Sequence, residues 1–332
     1  SKASGLHDLC ALMSKSMKNT VVIGERINPT GRKKLRRLFA EGDWTAMALV
    51  SAAVVLLTAM TWLLLSRSFL RLATSGGSTG KARYREKKAR VRSLPAALLG
   101  KECRRFVSSP NYMLNCGMGV LMIPAAGVLL LVKGGEWMAP LKVMLPGAES
   151  TLAALAISVA CLLASMNDMA APSVSLEGKS LWVLQSLPVS AWEVLKAKLK
   201  MQLVFTGIPM LVFLACALPV LGLSPALSLL AAAGSLLSVL LLALFGLTMG
   251  LKMPNLAWTS EITPIKQSGC VLIALFAGML YTVLLCVGFF ALGGWKLGFA
   301  GYTAVFAAAT LAVSAGLYFW LRKRGPAVFA AL

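Results

Sequence analysis

Acid–base, nucleophilic and metal chemistry each need particular side chains within reach of one another, and this sequence supplies few. His7 is the one histidine among 332 residues, which leaves no histidine-based triad and no histidine zinc site to propose. The seven cysteines (10, 103, 116, 161, 216, 270 and 286) show no CxxC spacing and lie mostly in or beside apolar runs. They read as small hydrophobes, not as a disulfide framework or a metal site. The stretch SGGSTGKA approaches a phosphate-binding loop, but Ser75 takes the place of the first glycine and Ala82 follows the lysine. No apolar strand precedes it, so it is not read as a nucleotide site. The reading therefore assigns no catalytic, cofactor-binding or metal residue.

Composition explains that poverty. Hydrophobic residues make up 58% of the chain and charged residues 14%. A soluble domain of this length could not hide so much apolar surface, whereas lipid accepts it as solvent. The formal charge of +21 would suit nucleic acid, but the basic residues sit at the edges of apolar runs, where anionic headgroups attract them. No nucleic-acid partner is expected. Seven apolar, uncharged runs are long enough to be spans: Thr45–Leu65, Met113–Val132, Thr151–Asn167, Met201–Leu221, Pro225–Gly250, Gly269–Leu292 and Ala300–Leu321. Backbone groups in lipid must be satisfied internally, so the expected fold is all-α. It is a polytopic membrane helix bundle of about seven transmembrane helices with cytosolic interfacial helices. The third run is the shortest, and its polar end is Asn167-Asp168.

Lysine and arginine set the orientation. Ser66–Asn111 carries twelve basic residues against Glu86 and Glu102, and Ser173–Lys200 adds Lys179, Lys196, Lys198 and Lys200. Leu251–Ser268 adds Lys252 and Lys266, and the tail adds Arg322, Lys323 and Arg324. Alternation puts these four intervals on one side, read as cytosolic, in a multi-pass protein of the cell membrane with a cytosolic C-terminus. Residues 66–111 divide into a basic linker and an in-plane helix over Ser93–Ser108, with Pro95 in its first turn. Leu98, Leu99, Glu102 and Phe106 share one face of that helix, flanked by Lys101, Arg104 and Arg105. Residues 112–325 form a six-helix transmembrane half with cytosolic loops at 168–200 and 251–268, and 326–332 form a tail. Gly246-x-x-x-Gly250 and Ala274-x-x-x-Gly278 would allow close helix crossings, a weak signal where small residues abound.

No Asp, Glu, Lys, Arg or His lies inside a span; Gln202 is near an entry point and Asp168 at an edge. Ion-coupled carriers place such groups near the midplane, so the energised step is expected outside the membrane. Ser173–Lys200 is the longest polar interval in the second half. Ser190 and Glu193 have capping-box spacing, so a helix starts after Pro188. Trp192, Leu195 and Leu199 with Lys196, Lys198 and Lys200 then make an interfacial helix turning into the span at Met201. Glu177-Gly178-Lys179 and Leu181–Leu187 form a second short element before it. Pattern alone leaves two readings, a docking site or a helical connector on the membrane.

The stretch SLEGKSLWVLQSLPVSAWEVLKAKL resembles the signature of large permease subunits of bacterial type 2, exporter-class ABC transporters. The resemblance extends to SRSFLRLAT (66–74), KECRRFVSSPNYMLN (101–115) and PNLAWTSEITPIKQS (254–268), over about residues 47–325. It implies a permease that hydrolyses nothing itself and couples to a separate ATP-binding subunit, which would carry the ATP and magnesium. Such permeases have two halves of about six spans. This chain would hold the last span of the first half and the whole second half, a fragment lacking its N-terminal permease half. The resemblance implies ATPase docking through Glu177, Gly178, Lys179, Trp182, Pro188, Glu193, Trp258, Glu261 and Lys266. In this scheme Gly178 supplies a turn, Glu177 and Glu261 make charge-assisted bonds to the partner's basic residues, and Trp182 is an apolar anchor.

Residues 1–44 are polar and basic, with nine basic residues against four acidic, although alternation places them outside. No signal peptide is read there. GERINPTG (24–31), leading into a basic amphipathic helix, resembles the opening of the methyltetrahydrofolate-binding domain of cobalamin-dependent methionine synthase, which implies a pterin-holding role for Asn28. The resemblance stops at Trp44, where a barrel of about 250 residues should continue, so the leader reads as a spliced or fused fragment. The competing functions are an ion-coupled carrier or membrane scaffold without an ATPase, and, remotely, a folate/corrinoid methyltransferase fragment.

Overall fold

The computed structural model describes residues 92–144, 148–291 and 294–332, together with 48, 51–52, 54–60, 62–63 and 66. The leader with Asn28, most of the 66–91 interval and parts of the first expected span lie outside the described residues. The chain divides into two compact units, 1–88 and 89–332. In the first, the described residues between 48 and 66 are helical and expose apolar side chains, Leu56 and Trp62 among them.

The second unit is helical throughout its ordered elements: α1 (Leu94–Ser108), α2 (Pro110–Cys116), α3 (Met118–Met144), α4 (Ala148–Ser165), α5 (Pro172–Ser175) and α6 (Leu181–Ser186). These are followed by α7 (Ala191–Leu221), α8 (Pro225–Lys252), α9 (Ile262–Lys266), α10 (Gly269–Ala291), α11 (Gly294–Lys323) and α12 (Gly325–Ala330). Five helices among the described residues are long and apolar enough to cross a membrane: Met118–Trp137, Ala191–Leu221, Pro225–Lys252, Ile262–Ala291 and Leu297–Lys323. A polytopic helical membrane bundle is what the apolar runs demanded, since only helices satisfy their own backbone in lipid.

The shortest expected span is the structural centre. At 18 residues, α4 reaches roughly 27 Å, close to the ~30 Å hydrocarbon thickness. It touches α3, α7, α8, α10 and α11 and buries Ala153, Ala160, Cys161 and Ala164 almost completely. Small residues there let five neighbours close in. Outward-facing Leu121, Ile208, Leu229, Phe276 and Val305 stay exposed, as a lipid-facing surface would leave them.

Three boundaries depart from the sequence reading. The helix expected from Met113 is broken at Gly117, where a Cβ would meet the Phe106 ring at 2.4 Å, and the span proper starts at Met118. α11 begins before Ala300 and turns at Gly298, whose φ of 72° favours glycine. The expected interfacial helix and span around Met201 are one continuous helix, α7. Its start is as the capping box predicted: the Ser190 hydroxyl accepts from the Glu193 N–H at 3.3 Å.

Candidate functional site

The short elements α1, α2, α5, α6, α9 and α12 gather at one end of the bundle, where α4, α8 and α11 finish and α7 and α10 start. Contacts tie them across long sequence separations. The Ser109 hydroxyl donates to Glu261 at 2.7 Å, Trp258 Nε1 to the Ser175 carbonyl at 2.6 Å, and Gln185 Nε2 to the Phe329 carbonyl at 3.0 Å. The described parts of the basic intervals that alternation assigned to one side, residues 92–111, 173–200, 251–268 and the tail, therefore share one end.

Residues 167–178 form the inner layer of this end. Ala170, Ala171, Ser173, Val174 and Ser175 are at most 2% exposed, so their backbone must find partners inside the protein. Gln202, from α7, serves three backbone groups at the start of the layer. Its Oε1 accepts from the Met169 and Ala170 N–H groups at 2.6 and 3.1 Å, and its Nε2 donates to the Asn167 carbonyl and Thr206 hydroxyl. The Tyr112 hydroxyl donates to the Met169 carbonyl at 2.7 Å. Pro209 lacks the N–H that would serve the Phe205 carbonyl four residues earlier, and Asn167 Nδ2 donates to that carbonyl instead, at 3.4 Å. Gly246 and Gly250 of α8 admit the layer: a Cβ at 250 would lie 2.4 Å from the Ala171 carbonyl oxygen. Gly278 similarly lets α10 approach Ser165. The Gly278 motif therefore marks a close helix crossing, whereas Gly246 and Gly250 admit the non-helical segment between α4 and α5 instead of another helix.

At the outer edge of this layer lies a buried ion cluster. Lys198, 1% exposed, donates to Glu177 at 2.6 Å, Glu102 at 3.0 Å and the Ser173 carbonyl at 2.9 Å, using all three ammonium protons. Lys101 and Arg105 reach Glu177 at 2.7 and 2.8 Å. Burial pushes the Glu177 carboxyl up, but Lys198, Arg105 and Lys101 outweigh it and hold it well below the usual carboxylate range. Three cations meet two anions, and Arg105 Nη1 is buried without a partner.

These contacts correct the expected role of Glu177. It is 3% exposed and its basic partners lie within the chain, so it offers no free charge to another subunit. Gly178 is also buried, with φ +52°, and a Cβ there would lie 3.1 Å from the Trp258 ring, so it does supply the expected turn. Trp258 is half-buried and its indole N–H is used internally. The expected face of α1 is inward: Leu98, Glu102 and Phe106 are buried, Phe106 against Tyr112 and Phe205. Lys101 and Arg105 flank it in the cluster, and Arg104 is exposed. Lys198, expected beside an interfacial helix, is instead in the core because opposite charges meet it there.

Lys179, Trp182, Pro188, Glu261 and Lys266 lie on the surface of this end. Glu193 is half-buried and pairs with Lys196 at 2.5 Å. Trp182 is 65% exposed, beside Val183 and Leu187, which are also exposed. Sequence reasoning missed the structural weight of Lys198, Gln202 and Asn167. The available signal was their position: polar side chains beside apolar runs, on helix faces that must pack.

A family model described as a membrane protein of 12 TMs matches residues 45–320 and leaves residues 1–44 outside the match. No curated protein and no solved structure matches the chain. With most of its length covered by that model, and with its apolar helices packed as a bundle around α4, the chain belongs to this family of 12-TM membrane proteins.

Proposed function

We propose that the chain is a membrane-spanning permease subunit of an ATP-driven ABC transporter, working as an exporter, with a separate ATPase docking on the end built by α5, α6 and α9. The observation that carries this reading is α6, a six-residue helix that exposes Trp182 and Val183, with exposed Leu187 directly after it, while burying Leu181 and Leu184. An exposed tryptophan flanked by aliphatic side chains suits a hot-spot anchor. Lys179, Glu261 and Lys266 would form a polar rim around it.

The layer beneath α6 suits the transmission of a push. The helix follows Glu177 and Gly178 directly, and Glu177 is held to α1 and α7 at once through Lys101, Arg105 and Lys198. Displacement of α6 would load those contacts and tilt α7, which runs 31 residues from this end. In this reading the end is cytosolic, ATP and magnesium belong to the partner, and this chain makes up about half of a twelve-helix permease.

The test is Trp182→Ala in the protein carrying both permease halves, assayed for ATPase co-purification and stimulated ATP hydrolysis. A hot-spot loss of about 2 kcal/mol corresponds to roughly thirtyfold weaker docking. Unchanged docking and stimulation, or transport that persists without ATP, would overturn the reading in favour of an ion-coupled carrier or a scaffold.

A further inference from the structure

Asp168 occupies the break between α4 and α5, and nothing in the docking scheme uses it. Its Oδ1 accepts from the Ala170 and Ala171 N–H groups, each at 3.1 Å. The carboxyl lies directly against the backbone of α8: a Cβ at Gly246 would be 2.6 Å from Oδ1 and 2.9 Å from Oδ2. Among the described residues no lysine or arginine forms an ion pair with it, in contrast to Glu177 nearby. The groups that face it are Tyr112 and Cys116 from α2 and Cys270 from α10, whose thiol contacts the Ala171 carbonyl. Neutral Gln202 of α7 holds the adjacent backbone. Burial pushes Tyr112 and Cys116 up, so both stay uncharged.

A carboxylate in such surroundings has two N–H groups to stabilise its charge and no cation. Asp168 is half-buried, and neutralisation by a proton removes the cost of holding its charge partly away from water against the α8 backbone. We propose that Asp168 is a proton-binding site that governs how firmly residues 167–178 seat against Gly246 and Gly250 of α8. The proton comes from water and forms an O–H bond on the carboxyl. The seated layer is then tight when Asp168 is protonated and loosened when it is ionised. Because the layer runs on to Glu177 and α6, the outer end would respond to local pH. The inference does not rest on ATP coupling.

The sign follows from linkage. Burial pushes the Asp168 carboxyl up from 3.8 to about 6, outweighing the pull of the two N–H groups. The folded protein therefore binds this proton more tightly than the unfolded chain, and stability is lost as pH rises through about 6. Thermal unfolding of the purified protein in detergent, from about pH 5 to about pH 8, tests this directly. The wild type should lose several degrees of Tm across that window. Asp168→Asn keeps the oxygen that accepts from Ala170 and Ala171, and should give a flat profile that meets or exceeds the wild type at the alkaline end. Parallel profiles, or a D168N chain less stable by a constant amount at every pH, would overturn the proposal. If D168N does not fold, infrared titration of the wild type decides: a protonated carboxyl band persisting to near pH 6 supports the site, and loss of all such bands by about pH 5 refutes it.

Discussion

Glu177→Gln is the sharpest test of the ion cluster. The substitution keeps shape and removes one of two anions facing Lys101, Arg105 and Lys198. Lys101 and Arg105 retain 35% and 24% side-chain exposure, whereas Lys198 retains none. Water can take over part of the first two charges, so the cost concentrates on the Lys198 ammonium. Removing one partner of a buried pair costs about 3–5 kcal/mol; with Glu102 still 3.0 Å from Lys198, the lower figure is expected. At roughly 2–4 °C per kcal/mol for a chain of this order, Tm in detergent should fall by roughly 6–12 °C. Adding Lys198→Met should recover part of the loss, because it deletes the stranded charge, and the double-mutant cycle should show coupling of about 1.5 kcal/mol or more. The pH dependence has a definite sign. The Glu177 carboxyl is held below its ordinary 4.5 by its three cations despite burial, so its stabilisation is complete above that value and is lost as pH falls through the folded one. The gap between mutant and wild type should stay constant from about pH 5 to 8 and narrow only in acid. A Tm within about 2 °C of wild type, or a double mutant whose loss is the simple sum, would refute the reasoning.

Gln202→Leu should leave the Met169 N–H and the Asn167 carbonyl without their partner, while the Ala170 N–H keeps its bond to Asp168, costing about 2 kcal/mol or more at about 1–3 per orphaned group. Thermal unfolding measures it, and a loss below about 1 kcal/mol would contradict the assigned bonding. Gly250→Ala drives a methyl to 2.4 Å from the Ala171 carbonyl oxygen and should cost about 1–3 kcal/mol through forced separation of α8 from the inner layer. Gly207→Ala on α7, where a Cβ meets nothing within 4 Å, is the control and should be neutral or stabilising by up to about 1 kcal/mol.

Much of the architecture was legible in order along the chain. Uncharged runs of about twenty residues force helices in lipid, whatever packs beside them, and α7, α8, α10 and α11 follow from that requirement. The clustering of lysines and arginines into alternate intervals predicted which polar segments share an end. Ser190 and Glu193 predicted where α7 starts because a cap is a local bond. α6, ending just before Leu187 and Pro188, was legible for the same reason.

What the sequence could not express is pairing at a distance. Lys198 lies in a lysine-rich turn and reads as a headgroup contact; only the fold brings Glu177 and Glu102, 21 and 96 residues away, onto its ammonium. Glu177 consequently moved from an expected outward contact to an inner anchor, and Trp182 was left as the exposed group. Gly250 looked like one small residue among many until Ala171 was found against it. Asp168 looked like the polar edge of a span until the break after α4 was seen to press its carboxyl onto Gly246. By itself the sequence determined which segments enter lipid and which polar intervals share an end, because hydropathy and charge act residue by residue. Tertiary structure alone decided which charges are buried together and which face outward, because burial depends on neighbours that are remote along the chain.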